Sequence, residues 1–239
     1  MGLFDFFLSE EAQIKKNIAR LTNRDSQPDD RDASAKWLAE RNSPLALLGL
    51  LQRFDLALEH QLKDQAEKEL VFDLLVAKGA QVLDPVKVWL RQCKSFAMPL
   101  RLLGEVGGRE AAIEMGYELL KIELQKDDFK PVKKKALLVW LAEQRHAGAS
   151  AAAAPFLADF DEGVRYSAVE VIAAQSGDDG RAALLELLAG TKEESNRVRV
   201  RVASVFVQRG WRVDDAGAGL VSVLPAEFKV RDGRIVRGS

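Results

Sequence analysis

One pattern recurs along the second half of the chain at intervals of 32 and 34 residues. It consists of an apolar residue, a basic residue, two variable positions and a small or apolar residue, and its copies begin at Val132, Val164 and Val198. Weaker matches occur near Arg101 and earlier in the chain. Because every copy lies in a segment with helical periodicity, a repeat of this length with two helices per unit predicts a helical solenoid.

Turn signals divide the chain into short helical segments. Pro44 and Pro131 stand at predicted helix starts and Gly79 follows a predicted helix end, which are positions that these residue types favour. The connections are short, as expected between antiparallel neighbours. We therefore predict an all-α fold in which residues 1–225 form one curved solenoid of about six helix pairs, and residues 226–239 form a β-hairpin cap and tail.

The charge balance limits which partners are expected. Lysine and arginine number 35 and aspartate and glutamate 36, so the net charge is −1, whereas a nucleic-acid binder needs a clear basic excess. A hydrophobic fraction of 47% and a charged fraction of 30% fit neither a disordered chain nor a membrane protein. Cys93 is the only cysteine, which favours a reducing compartment, and we expect a cytoplasmic protein.

The N-terminal stretch MGLFDFFL is apolar but lacks the basic residues of a secretory signal. These side chains could touch a membrane, although so short an apolar stretch without basic residues holds a bilayer poorly. We therefore expect no stable membrane insertion, and expect this stretch to cover one end of the hydrophobic core.

Residues 155–168, with the sequence PFLADFDEGVRYSA, resemble a repeat of the HEAT family. They look like the family's first helix, an acidic turn, and a second helix that opens with Val164 and Arg165 and continues to Ala168. The clear resemblance covers about residues 115–210. The N-terminal half is assigned to the same family on its period and helix pairing alone.

The resemblance implies roles for several charged residues. In the family, an aspartate and the arginine after it form ladders between adjacent repeats, which implies ladder roles for Asp161, Arg165, Lys133 and Arg199. Direct contact of the basic residues with a ligand is the alternative. Ala168 lies on the apolar face of its helix, where a small side chain lets two helices approach, and we expect it to be buried.

The C-terminal segment changes from helical to alternating periodicity around Asp232-Gly233, a strong signal for a hairpin with a two-residue loop. Such a loop places Val230 opposite Ile235. From Arg197 onward nine residues are basic and four acidic. We expect the hairpin to pack on the last helices and cover their apolar face, with docking of an acidic partner as the alternative.

The connection from Arg53 to Asp64 is richer in mixed polar groups than its neighbours. It could be a recognition loop. A helix extension with ordinary surface charge is the interpretation that the pattern favours.

No motif for catalysis is found in the sequence: serine-hydrolase, phosphate-loop and dinucleotide-binding signatures are all absent. His60 and His146 are the only histidines and lie 86 residues apart, so a zinc site is not expected. Cys93 ends an apolar helical pattern, which predicts a buried, inert thiol. We therefore expect a protein that is not an enzyme and that needs neither a cofactor nor a metal.

These observations predict a binding protein, in particular a cytoplasmic adaptor or scaffold that holds another protein. In the HEAT family the second helix of each pair lines the concave face, and this resemblance implies a polar stripe there. Its predicted members are Arg101, Lys135, Tyr166, Glu170 and Arg201. Tyrosine and arginine often carry the binding energy of protein interfaces.

Two enzymatic alternatives come from the same resemblance. Some HEAT-like proteins are DNA glycosylases of the alkylpurine type, which use a basic concave groove, and the net charge of −1 weighs against that class. A HEAT-like lyase that handles a chromophore would need a defined pocket, for which the sequence offers no residues. The partner's identity and the oligomeric state are left open by the sequence.

Overall fold

The computed structural model describes residues 9–126, 128–214 and 219–238. Met1 to Leu8, predicted to cover a core end, lie outside these residues. Thirteen α-helices and one two-stranded sheet are found in the described ranges, and about 70% of the described residues are helical. The predicted all-α character is thereby confirmed. The chain divides into two compact units, Met1–Leu119 and Leu120–Ser239.

The first unit contains six helices and part of a seventh. They are α1 (Glu10–Leu21), α2 (Pro28–Arg41), α3 (Pro44–Leu51), α4 (Gln61–Val76), α5 (Leu83–Leu90), α6 (Ala97–Gly107) and α7 (Arg109–Leu124), which continues past the unit boundary. Consecutive helices pack as the pairs α1–α2, α3–α4 and α5–α6. In addition α1 contacts α3, α3 contacts α5, α2 contacts α4, and α4 contacts α6. The first unit therefore has two layers of three helices.

Local sequence signals explain where these helices begin. The Ser9 hydroxyl accepts a hydrogen bond from the Ala12 backbone N–H at 3.3 Å and caps α1. Ser43 caps α3 in the same way through the N–H of Ala46, with Pro44 as the first helical residue. Between the layers lies an aliphatic core in which several leucines are fully buried: Leu38, Leu50, Leu75, Leu90 and Leu102.

The second unit contains six helices and the hairpin. They are α8 (Val132–Gln144), α9 (Ala149–Ala153), α10 (Glu162–Ala174), α11 (Arg181–Ala189), α12 (Asn196–Arg209), α13 (Gly219–Val223), β1 (Phe228–Arg231) and β2 (Arg234–Arg237). A 3-10 turn, Ala154–Ala158, continues α9. Helix α10 packs between α8 and α12, while the 3-10 turn contacts α11 and α11 contacts α13. Ala168 is fully buried on α10, as predicted.

Helix α8 differs from the predicted repeat register. The pattern equated Val132 with Val164, but Val132 is 68% exposed whereas Val164 is fully buried. Ala136, equated with the buried Ala168, is exposed as well. The aligned residues thus do not occupy equivalent positions in the helices.

The position of the helix start explains this difference. Val164 and Val198 are the third residues of α10 and α12, whereas the third residue of α8, which starts after Pro131, is Lys134. Lys134 is 2% exposed, and its ammonium donates to Asp159 Oδ2 at 2.7 Å. The repeat register in α8 therefore lies two residues later than the apolar pattern indicates.

The C-terminal hairpin has the predicted register, with Val230 opposite Ile235. Asp232 and Gly233 both have positive φ, 51° and 71°, as a two-residue hairpin loop requires. Phe228 and Ile235 are buried, and β2 packs against α12. One face of the hairpin therefore covers apolar surface of the last long helix.

Candidate functional site

The second unit brings Glu170 and Arg201 together on neighbouring helices. The Arg201 guanidinium donates from Nε to Glu170 Oε1 and from Nη2 to Oε2, the latter at 3.0 Å. The hydrogen bonds to Glu170 raise the pKa of Arg201 above its ordinary value. This two-point contact fixes both side chains at the surface between α10 and α12.

Tyr166 lies one turn before Glu170 on the same helix. The guanidinium carbon of Arg197 stands 3.9 Å from the centre of the Tyr166 ring, a cation–π contact. Arg197 Nη1 also lies 3.3 Å from Glu162 Oε2. Tyr166 and Arg201 are thus each contacted by a charged side chain from the facing helix. We call the surface formed by these two residues with Glu162, Glu170 and Arg197 the α10–α12 surface.

Lys135 stands beside the start of α10. Its ammonium is 3.6 Å from Asp161 Oδ1, and a Cβ atom placed on Gly163 would lie 3.1 Å from its Cδ. Arg101 belongs to the first unit. There it donates to Glu69 at 3.0 Å and its guanidinium carbon stands 4.1 Å from the centre of the Phe72 ring. Four of the five predicted binding residues therefore lie on adjacent helices of the second unit. The fifth, Arg101, belongs to the first unit.

Two of the predicted ladder residues, Asp161 and Arg165, contact charged side chains from neighbouring segments. Asp161 caps α10 by accepting from the Val164 N–H at 2.9 Å, whereas Arg165 donates from Nε to Glu193 Oε2 at 2.7 Å. Burial raises the pKa of Glu193, but the hydrogen bond from Arg165 and a backbone N–H more than offset it, so this pKa is lowered. Asp161 Oδ1 also lies 3.6 Å from the Lys135 ammonium of α8, so both residues face charges from neighbouring segments, as members of a ladder would.

Of the other two predicted ladder residues, Lys133 faces an acidic side chain of the preceding helix and Arg199 does not. Lys133 stands 3.8 Å from Glu123 Oε1, while its neighbour Lys134 makes the buried contact. Arg199 donates only to backbone carbonyls, those of Leu188, Gly190, Glu193 and Val223, at 2.8–3.1 Å. The Arg199 side chain thereby connects the end of α11 and the loop after it with α13 through hydrogen bonds.

The first unit contains a buried ionic cluster that was not predicted from the sequence. Arg53 is fully buried, not a surface charge as the sequence indicated. Glu67 accepts from Arg31 Nε and Nη2, both at 2.8 Å, and from Arg53 Nη2 at 3.0 Å. Arg53 Nη2 also donates to Asp64 at 2.8 Å. Because these residues are 11 to 36 positions apart, no local pattern reveals the contact.

Three apolar side chains near the start and middle of α8 are strongly exposed. Phe129 is 96% exposed, Val132 68% and Val139 55%. Val132, Ala136 and Val139 are spaced by four and three residues, so they form one exposed stripe of α8, which we call the apolar stripe, and Phe129 lies in the turn just before this helix. Helix α8 itself packs against α10, the helix on which Tyr166 lies.

The residues considered for catalysis belong to different elements of the chain. Cys93 is 3% exposed, and its Sγ lies 3.5 Å from the Leu90 carbonyl oxygen. His60 stands before α4 and His146 follows α8, in different units. Within the described ranges, no three His, Cys, Asp or Glu side chains are grouped so as to hold a metal ion. None of the helices in those ranges has the length and hydropathy that crossing a bilayer requires.

No protein-family model, curated protein or solved structure matches the chain.

Proposed function

We propose that this protein binds another protein through the α10–α12 surface and the apolar stripe of α8. The observation that carries the proposal is the fixed placement of Tyr166 between helices, with Arg197 over its ring at 3.9 Å. A side chain held in one conformation loses little entropy on binding, so a partner gains more from contacting it. Tyrosine and arginine are also the side chains most often found at the energetic centre of interfaces.

The apolar stripe of α8 supports the same proposal. Phe129 and Val132 expose 96% and 68% of their surface, and contiguous apolar side chains at a surface commonly mark an interface. The charges beside it are balanced, since Arg197 and Arg201 face Glu162 and Glu170. A balanced charged surface next to an apolar one suits a protein better than a phosphate backbone, which requires a basic excess.

We further propose that each unit is an array of HEAT-like helix pairs and that the protein is a non-catalytic adaptor or scaffold of the cytoplasm. The support is the pairwise packing of consecutive helices, with like helices in contact from pair to pair. In repeat proteins such arrays present the exposed sides of one helix layer as a binding surface. The residues of that layer in the second unit include the four predicted ones.

An exchange of charges tests the binding surface without removing its ion pair. In the double variant Glu170→Arg/Arg201→Glu the two side chains can still pair, while the sign of each surface position is reversed. We expect the thermal midpoint to stay within about 2 °C of wild type, because a partly exposed pair contributes little. Quantitative affinity purification from the native organism should show loss of the proteins that wild type retains.

The matched control is Arg91→Glu/Glu118→Arg in the first unit. Arg91 Nε donates to Glu118 Oε1 at 2.5 Å and Nη2 to Oε2 at 3.1 Å, the same two-point geometry. We expect the control to retain the partners that the first variant loses. Equal retention by wild type and both folded variants would refute the proposed surface.

A further inference from the structure

Three arginines stand in one row across the strands at the C-terminal end of the chain. Arg231 of β1 lies directly opposite Arg234 of β2, and Arg234 is in turn bridged on its other side by Arg212. Residues paired in this way project their side chains from the same face, with Cβ atoms roughly 5 Å apart. The row therefore spans roughly 10 Å, two strand-to-strand steps.

The face that carries this row is the exposed face of the hairpin. Phe228 and Ile235 are buried on the opposite face, whereas Arg231, Arg234 and Lys229 are exposed. Cross-strand pairing places Val236, half-buried, on the exposed face opposite Lys229. We call Arg212, Arg231 and Arg234 the arginine row, and Lys229 lies beside it on the same face of the hairpin.

Most of the positive charge in this row is not neutralised within the described residues. Arg212 pairs with Asp214 through two hydrogen bonds, one of them 3.1 Å long. Arg231, Arg234 and Lys229 have no ion pair within residues 9–126, 128–214 and 219–238. Like charges directly opposite each other destabilise a strand pair, so this arrangement does not serve the stability of the hairpin.

We propose that the arginine row binds a short acidic segment of a partner protein. Guanidinium groups match carboxylates with paired hydrogen bonds, and a partner's carboxylates would relieve the repulsion between Arg231 and Arg234. A span of roughly 10 Å corresponds to about three residues of extended chain, and Val236 offers an apolar contact beside the charges.

The size of the row favours a peptide over larger anions. Nucleic-acid and membrane surfaces need broad basic areas, typically four to eight clustered basic residues for a membrane. Here Arg212 is paired with Asp214, which leaves three unpaired basic side chains on this face among the described residues, fewer than such surfaces use, and Glu227 and Asp232 lie close by in sequence. The row is a second surface, separate from the α10–α12 surface, and the proposal does not depend on that surface.

Fluorescence anisotropy with the full chain tests this proposal. The probe is a labelled peptide with the sequence GEEVEEG, and its glutamine counterpart GQQVQQG serves as the uncharged reference. For Arg234→Gln we expect affinity for the acidic peptide to fall about fivefold, the effect of one exposed charge-assisted hydrogen-bonded contact. Arg237→Gln is the matched control, because it removes the same charge from the same strand but from the other face.

The outcomes separate the alternatives. Wild type should bind the acidic peptide more tightly than the glutamine peptide, a twelve-nucleotide oligothymidine or phosphatidylserine vesicles. Equal loss of affinity in Arg234→Gln and Arg237→Gln would overturn the proposal, as would tighter binding of the oligonucleotide or the vesicles. The thermal midpoint of Arg234→Gln should not fall, since a repulsion is removed. If it does fall, Arg231→Gln gives the same test from the other strand.

Discussion

Replacing Glu67 by glutamine should destabilise the first unit far more than the same change two residues later in the same helix. Glu67 is 8% exposed and is contacted by Arg31 and Arg53, which are 4% and 0% exposed. Glutamine preserves the volume but removes the negative charge between two buried guanidinium groups. Removing one partner of a buried ion pair typically costs about 3–5 kcal/mol.

The remaining contacts place the expected value near the lower end of that range. Asp64 still accepts from Arg53 at 2.8 Å, so one guanidinium keeps a carboxylate partner. We therefore expect a loss of about 3 kcal/mol in the free energy of unfolding. For a chain of this size, that corresponds to a fall of roughly 6–12 °C in the thermal midpoint.

The control is Glu69→Gln. Glu69 contacts Arg101 at 3.0 Å, but the two side chains are 38% and 53% exposed, and exposed pairs contribute under about 1 kcal/mol. Hydrogen exchange of peptides from α2 and α4, together with urea unfolding, measures both variants. Equal and small effects of the two substitutions would refute the argument that burial makes the Glu67 cluster important for stability.

Lowering the pH should reduce the difference in the free energy of unfolding between wild type and Glu67→Gln. Burial raises the pKa of Glu67, but hydrogen bonds from Arg31 and Arg53 more than offset it, so this pKa lies below its ordinary value of 4.5. A carboxyl group with a lowered pKa stabilises the folded state above the unfolded pKa, and this contribution is lost as the pH falls through the folded pKa. The stability difference should therefore be full at neutral pH and shrink below about pH 4.5.

Three further substitutions test the second unit. Ala168→Leu should overpack the contact of α10 with its neighbours and cost about 1–3 kcal/mol, and an unchanged thermal midpoint would show that this contact is not tight. Ile235→Ala should cost about 2–4 kcal/mol in urea unfolding because the residue is 2% exposed against α12; a negligible cost would refute the covering role of the hairpin. Lys134→Met leaves Asp159 buried without its ammonium and should cost about 3 kcal/mol, against under about 1 kcal/mol for Lys135→Met, whose side chain is 39% exposed; calorimetry compares the two.

The helical character and the hairpin could be predicted because their signals are local. Ser9 and Ser43 cap helices through backbone groups three residues away, and Asp232-Gly233 adopts the positive φ angles that its turn requires. Such features depend on a few adjacent residues. The sequence alone therefore sufficed to locate them.

The register of α8 and the ion-pair partners could not be predicted because they depend on contacts between distant segments. Lys134 resembles its neighbours Lys133 and Lys135 in sequence, and only Asp159, 25 residues later, distinguishes it. Similarly, Arg165 lies beside Asp161 in sequence but pairs with Glu193, 28 residues away. Local periodicity contains no information on which of several lysines or acids will be buried.

The way in which Arg199 binds only carbonyl oxygens has a consequence for how this part of the chain can evolve. Every residue type has a backbone carbonyl, so substitutions at Leu188, Gly190 or Val223 leave the acceptors of Arg199 in place. What the arrangement does constrain is the number of residues in the loop after α11, because an insertion or deletion there moves the carbonyls away from a fixed guanidinium. Related sequences should therefore keep the length of this loop and the Glu193 that pairs with Arg165, while its exposed positions Thr191, Lys192 and Glu194 vary in composition.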